Sequence, residues 1–188
     1  GKAIDSMNGT YISAEDSGLT EDDVRTMYKQ TPYVTGFKDG LAGGVGGNPS
    51  PITARGVYHG IKIAAKAKHG SDDLRGMKVS IQGLGAVGMS LCDHLHAEGV
   101  QIIATDVRER VLEDAKEKFP GLTVVRTEEI FGVEADVFAP CAMGAQINDD
   151  TIPQLKVGIV AGAANNQLRT AAHGQELHDR GILYAPDF

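Results

Sequence analysis

Gly83-Leu84-Gly85-Ala86-Val87-Gly88, preceded by the apolar run Val79-Ser80-Ile81-Gln82, is the stretch that decides the fold. The hexapeptide fits G-x-G-x-x-G, which is weak evidence alone in a chain with 24 glycines. Its surroundings strengthen it. A buried strand is predicted over 79–82, a helix over 86–98, and a second strand over 100–105 that ends at Asp106, 18 residues after Gly88. Each part has a physical task. Gly83 permits a tight turn, Gly85 lets the backbone approach a pyrophosphate, and Gly88 allows helix and strand to pack closely. The helix N-terminus offers N–H donors to phosphate. Glycines of an ordinary turn beside a solvated Asp106 are the competing reading, and that reading leaves the whole fingerprint unexplained. Residues Gly83, Leu84, Gly85, Ala86, Val87, Gly88, Asp106 and Val107 are therefore candidate dinucleotide contacts. Asp106 can accept from both ribose hydroxyls and would repel a 2′-phosphate, which favours NAD over NADP. Arg108, two residues on, could offset part of that repulsion.

Outward from this turn the chain alternates short apolar runs with helical patterns, the writing of a parallel sheet with crossover helices. Further strands are predicted over 122–125, 136–139, 158–161 and 182–184, and helices over 109–118 and 172–180, with a short turn near 151–155. The expected fold is α/β, a Rossmann-type, doubly wound and mostly parallel sheet, preceded by a remnant of a second α/β domain. Upstream, Thr20 with Glu21, Asp22 and Asp23 reads as an N-cap with acids in the first helical turn, and a helix runs to about Lys29. Gly36, Gly40, Gly43, Gly44, Gly46 and Gly47 precede Asn48-Pro49-Ser50-Pro51, a composition expected of a hinge or binding loop. A helix over 51–68 follows. We place the boundary there: residues 1–48 as a partial substrate domain and hinge, residues 49–188 as the cofactor domain.

Composition narrows the function. The chain has a formal charge of −7, from 18 basic and 25 acidic residues, so no broad basic surface is available for a nucleic acid. No run approaches the roughly 18 apolar residues of a membrane span, and the residues after Gly1 lack the apolar core of a signal peptide. We expect a soluble, cytoplasmic protein with neither membrane nor nucleic-acid partner. Cys92 and Cys141 have no Cys-x-x-Cys companion, and no metal site is expected. His94 and His96, two apart on a predicted helix, do not share a face as ligands would and are expected on the surface. The pairs Asp22-Asp23, Asp72-Asp73 and Asp149-Asp150 read as caps and turn residues.

Several segments taken together carry a resemblance. Ser13-Ala14-Glu15-Asp16-Ser17-Gly18, Gly47-Asn48-Pro49-Ser50-Pro51-Ile52-Thr53, the glycine turn, Ala139-Pro140-Cys141-Ala142-Met143-Gly144 and Ala164-Asn165-Asn166-Gln167-Leu168 come in one order across essentially the whole chain. The chain resembles the leucine, phenylalanine and valine dehydrogenase group, within the larger family that includes glutamate dehydrogenase. The resemblance implies NAD-dependent oxidative deamination of an apolar L-amino acid to a 2-oxo acid and ammonia, in a homo-oligomeric protein. It implies Asp16 as the catalytic acid/base, Ala14 in the substrate side-chain pocket, Thr53 at the nicotinamide carboxamide, and Asn166 between cofactor and substrate. It also implies that the backbone of Cys141, Ala142 and Met143 borders the cofactor. By spacing alone, Asn48-Pro49-Ser50-Pro51 reads equally as a loop and helix cap, Asn165-Asn166 as a turn, and Cys141 as an inert buried thiol.

One family feature has no match. The catalytic lysines belong to a Gly-Gly-Gly-Lys segment upstream of the aspartate, and Lys2, only 14 residues before Asp16, aligns better with a basic residue of a preceding helix. The chain also stops at Ala185-Pro186-Asp187-Phe188, before the family's closing segments. We expect the middle of a longer enzyme, able to bind NAD with little turnover by itself. A non-catalytic NAD-binding module and a glutamate dehydrogenase are the alternatives.

Overall fold

The structure, a computed structural model, describes residues 1–16, 18–37 and 47–186. Gly40, Gly43, Gly44 and Gly46 of the expected hinge, with Ser17, Asp187 and Phe188, lie outside the described residues. The chain divides into two compact units, Gly1–Pro49 and Ser50–Phe188.

In the first unit a short helix α1 (Lys2–Asp5) is followed by α2 (Glu21–Tyr28). Thr20 caps α2 as expected: its hydroxyl accepts from the Asp23 N–H, and the Asp23 carboxylate accepts from the Thr20 N–H at 2.9 Å. Val24 of α2, Val34 and Phe37 form a small core. A parallel bridge joins Ser13 to Val34, with Thr35 N–H donating to the Ser13 carbonyl at 2.8 Å. That bridge fixes the chain immediately before Ala14 and Asp16.

The second unit opens with α3 (Ser50–His69) and continues β1 (Lys78–Gln82), α4 (Ala86–Ala97), β2 (Gln101–Thr105), α5 (Glu109–Lys118), β3 (Thr123–Val124), β4 (Val137–Pro140), β5 (Ile159–Val160), α6 (Ala171–Asp179) and β6 (Leu183–Tyr184). The six strands form one sheet in the order β3-β2-β1-β4-β5-β6, and every pairing is parallel. This is the doubly wound order, in which the chain direction across the sheet reverses between β1 and β4. Strand alternation sorts residues between two cores. Val79, Ile81, Ile102, Ala104, Val137, Ala139 and Ile159 join Ile61, Ala64 and Ala65 of α3 and Leu91, Cys92 and Leu95 of α4. Phe138 and Val160 turn the other way, to Ile147, Ile152, Leu155 and Leu177 of α6. Between α3 and α4, Glu98 accepts from the Tyr58 hydroxyl and the Lys62 ammonium, each at 2.5 Å.

Strands β3, β5 and β6 are shorter than their apolar runs. The sequence run 158–161 gives a two-residue β5, because pairing with β4 ends where Pro140 begins to receive N–H bonds from the loop residues Ala163 and Ala164 instead. A 3-10 turn at Ile130–Gly132 was not legible in the sequence. Among the described residues no helix is long and apolar enough to cross a membrane.

Candidate functional site

The carboxyl end of β1 builds the first part of the site. Gly83 takes φ +95°, its N–H donates to the Thr105 carbonyl at 2.8 Å, and a Cβ added there would sit 2.8 Å from the Ala142 Cβ. The segment after β4 thus closes against the turn, at the sheet position where strand order reverses. A Cβ on Gly88 would collide with the Gly83 carbonyl oxygen, while one on Gly85 meets nothing within 4 Å. The three glycines therefore differ: two are packed shut and the middle one faces open space. Gly85 is the N-cap of α4 and no side chain caps that helix, which leaves its first turn to a ligand. Leu84 sends its side chain into the core and its N–H to Asp106, 2.8 Å away. Val87 packs against the same core, whereas Ala86 is exposed.

Asp106 stands one residue beyond β2 and is tightly held. Beyond Leu84, it accepts from the Arg108 N–H and Nε, both at 2.9 Å, and from Nη2 at 3.0 Å. Burial opposes its ionisation, but the bonds from the Arg108 side chain, the Leu84 N–H and the Arg108 N–H prevail, and the carboxyl is held down to about 2. Val107 beside it is 85% exposed, an unpartnered apolar surface at the strand end.

At the end of β4, the Cys141 N–H donates to the Gln82 carbonyl at 2.8 Å, and Ala142 and Met143 are exposed, Met143 by 75%. Burial pushes the Cys141 thiol up to about 11 and that of Cys92 up to about 12, so both are inert thiols.

A cleft of about 310 Å³ lies within the second unit between α3 and the loops after β5 and β6. Its walls are mostly small, Gly56, Val57 and Gly60 facing Ala161, Gly162 and Ala163, and Thr53 and Asn165 bring the polar side chains. Asn165 rather than Asn166 lines it. Asn166 adopts φ +52° and its carbonyl accepts from the Ala145 N–H at 2.8 Å. The loop is braced from inside by Gln167, fully buried, whose Nε2 donates to the Gly162 carbonyl at 2.9 Å. Sequence reasoning missed Gln167, and also Gln82 at the end of β1, whose amide donates to Gln146 at 3.0 Å. A buried glutamine carries no periodic signal that would mark it.

In the first unit, Asp16 and Ala14 are exposed and follow the Ser13–Val34 bridge, and Lys2 lies on α1. A depression of about 490 Å³ there, lined by Asp22, Arg25, Thr26, Tyr28, Lys29 and Phe37, includes none of the expected site residues. It is an open surface groove along α2, without convergent chemistry. His94 corrects one expectation: it is half-buried, stacked on Tyr58 with ring centroids 5.2 Å apart, while His96 is exposed. No metal-binding cluster occurs among the described residues.

A sequence profile described as Glutamate/Leucine/Phenylalanine/Valine dehydrogenase matches residues 104–188. Leucine dehydrogenase of Bacillus cereus is 50% identical over all 188 residues. The chain belongs to the glutamate/leucine/phenylalanine/valine dehydrogenase family. Among solved structures, L-tryptophan dehydrogenase from Nostoc punctiforme is similar with a TM-score of 0.76 and 45% identity, over 99% of this chain and 52% of that one. The hetero-hexameric glutamate dehydrogenase from Thermus thermophilus has a TM-score of 0.71 and 25% identity, over 99% of this chain and 50% of that one. The chain spans about half the length of the curated relatives it matches. The family and the Rossmann-type fold implied by the motifs both hold.

Proposed function

We propose that the protein is an NAD-dependent dehydrogenase of apolar L-amino acids, converting amino acid, NAD and water to 2-oxo acid, ammonium, NADH and a proton. The single observation that carries it is the glycine turn: a Cβ is excluded at Gly83 and Gly88 but only open space lies at Gly85, beside an uncapped helix N-terminus. Such a cradle fits a pyrophosphate, and Asp106 at the end of β2 becomes the acceptor for a ribose diol once the Arg108 side chain releases it. When bound, NAD supplies the acceptor for the hydride that leaves the substrate α-carbon.

The residues of this chain do the rest. Main-chain N–H groups at residues 85–88 hold the pyrophosphate, Asp106 orients the ribose, and Val107 covers an apolar face. Thr53 orients the carboxamide in the small-walled cleft, and the backbone of Cys141, Ala142 and Met143 borders the cofactor. Asn166 positions substrate, and Ala14 leaves room for its side chain. Asp16 removes a proton from the attacking water and returns it to the leaving amine nitrogen. We assign little turnover to the 188 residues by themselves, because none of them matches the family's Gly-Gly-Gly-Lys segment. The complete protein is proposed to be a cytoplasmic homo-oligomer, in keeping with its family.

A substrate panel tests this. The complete open reading frame and the 188-residue chain are given NAD with leucine, valine, phenylalanine or glutamate at matched protein, and nicotinamide reduction is followed by absorbance. The complete protein should turn over an apolar substrate fastest. Preference for glutamate would reassign the substrate, and no reduction with any amino acid would leave a binding module. Robust turnover by the 188-residue chain would overturn the inactivity assigned to it.

A further inference from the structure

The Asp106 carboxylate has no vacancy. It carries about four lone-pair sites, and four protein donors use them: the Leu84 N–H, the Arg108 N–H, and the Nε and Nη2 of Arg108. The two partners are unequally placed. The Asp106 side chain is 6% exposed and that of Arg108 57%, so the anion lies inside and the cation outside. A ligand approaching from solvent meets the guanidinium first, and the two charges cancel at the site where an acid alone would repel phosphate.

A ribose diol reaches Asp106 only if the Arg108 side chain lets go. Two of the four bonds are then lost, while the Leu84 and Arg108 N–H groups keep the carboxylate in place. The released guanidinium sits on an exposed stem two residues from the acceptor and presents a fork that matches phosphate oxygens. We propose that Arg108 selects the cofactor by admitting a 2′-phosphate, so that the protein binds NADP as well as NAD. The proposal rests on the reading that a nicotinamide dinucleotide binds at the glycine turn.

The test is calorimetric titration of NAD and NADP into the wild-type protein and the variants Arg108→Ala and Arg108→Lys. In wild type the two dissociation constants should agree within about tenfold. Arg108→Ala should weaken NADP by about thirtyfold, the scale of losing charge-assisted hydrogen bonds to phosphate. It should leave NAD unchanged or somewhat tighter, since the ribose no longer competes with the guanidinium. Arg108→Lys, which keeps the charge and loses the fork, should fall between. An NADP-to-NAD ratio unmoved by Arg108→Ala would overturn the proposal, as would a wild type that binds NAD but not NADP. Failure of the wild type to bind either nucleotide would instead remove the dinucleotide reading, and the proposal with it.

Discussion

Replacing Gly88 and Gly85 by alanine, one at a time, adds the same methyl group to two positions three residues apart and should damage different properties. At Gly88 the new Cβ runs into the Gly83 carbonyl oxygen, which is backbone at both partners, so no flexible side chain can yield. Overpacking costs about 1–3 kcal/mol, and a clash with backbone that cannot yield falls in the upper part of that range, about 2–3 kcal/mol. The gain in helix propensity from Gly to Ala returns about 1 kcal/mol, leaving a net loss of about 1–2 kcal/mol. For a chain of this size that lowers the melting temperature by about 2–8 °C. At Gly85 the Cβ meets nothing within 4 Å and φ is −70°, open to alanine. The fold should therefore melt within about 2 °C of wild type, the small N-cap penalty and the unfolded-state gain nearly cancelling. The same Cβ stands in the space assigned to the pyrophosphate, and NAD affinity should drop at least about tenfold, the cost of about 1.4 kcal/mol of lost contact. Scanning calorimetry with and without NAD measures both quantities. If Gly88→Ala melts like wild type, or if Gly85→Ala binds NAD unimpaired, the division of labour among the three glycines is wrong.

Three further outcomes are expected. Asp16→Asn in the complete protein should reduce turnover by about 10²-fold or more with NAD affinity nearly unchanged; equal activity would move the acid/base role elsewhere. Asp106, held at about 2 against an ordinary 3.8, contributes stability that is complete above about pH 4 and lost as pH falls through about 2. Its worth is about 1 kcal/mol once the solvent-facing Arg108 is discounted, so Asp106→Asn should melt below wild type at about pH 5 and level with it near pH 2; a gap that persists at low pH contradicts the ion pair. Cys92 and Cys141, pushed up to about 12 and about 11, should both resist aromatic disulfide reagents in the folded protein at about pH 8 and both react in denaturant. Rapid labelling of either would show an accessible thiolate.

The central strands were legible because each is a buried apolar run bounded by turn residues, and β1, β2 and β4 fall within a residue of expectation. Periodicity also found α3, α4 and α5, and the Thr20 cap with its first-turn acids found α2. What it could not find were features decided by a single polar contact. The shortness of β5 follows from the Pro140 carbonyl preferring the Ala163 and Ala164 N–H groups. The hidden brace of Gln167, and the half-buried state of His94 on Tyr58, depend on partners distant in sequence. Arg108 was visible as a charge near Asp106, but only geometry tells that it and the Leu84 N–H together saturate that carboxylate.

The strand lengths also set how stiff each part of the site is. The glycine turn hangs from β1 and β2, five residues each and paired along their whole length, and the segment after β4 joins it there. The loop wall of the cleft, which carries Asn165, hangs instead from β5 and β6, which hold one another through two residue pairs. Amide exchange should therefore be slowest around Ile81 and Ala104 and faster around Val160 and Tyr184, since local opening needs fewer bonds broken there. One end of the second unit is a rigid clamp, and the other is a compliant wall that can yield to what it holds.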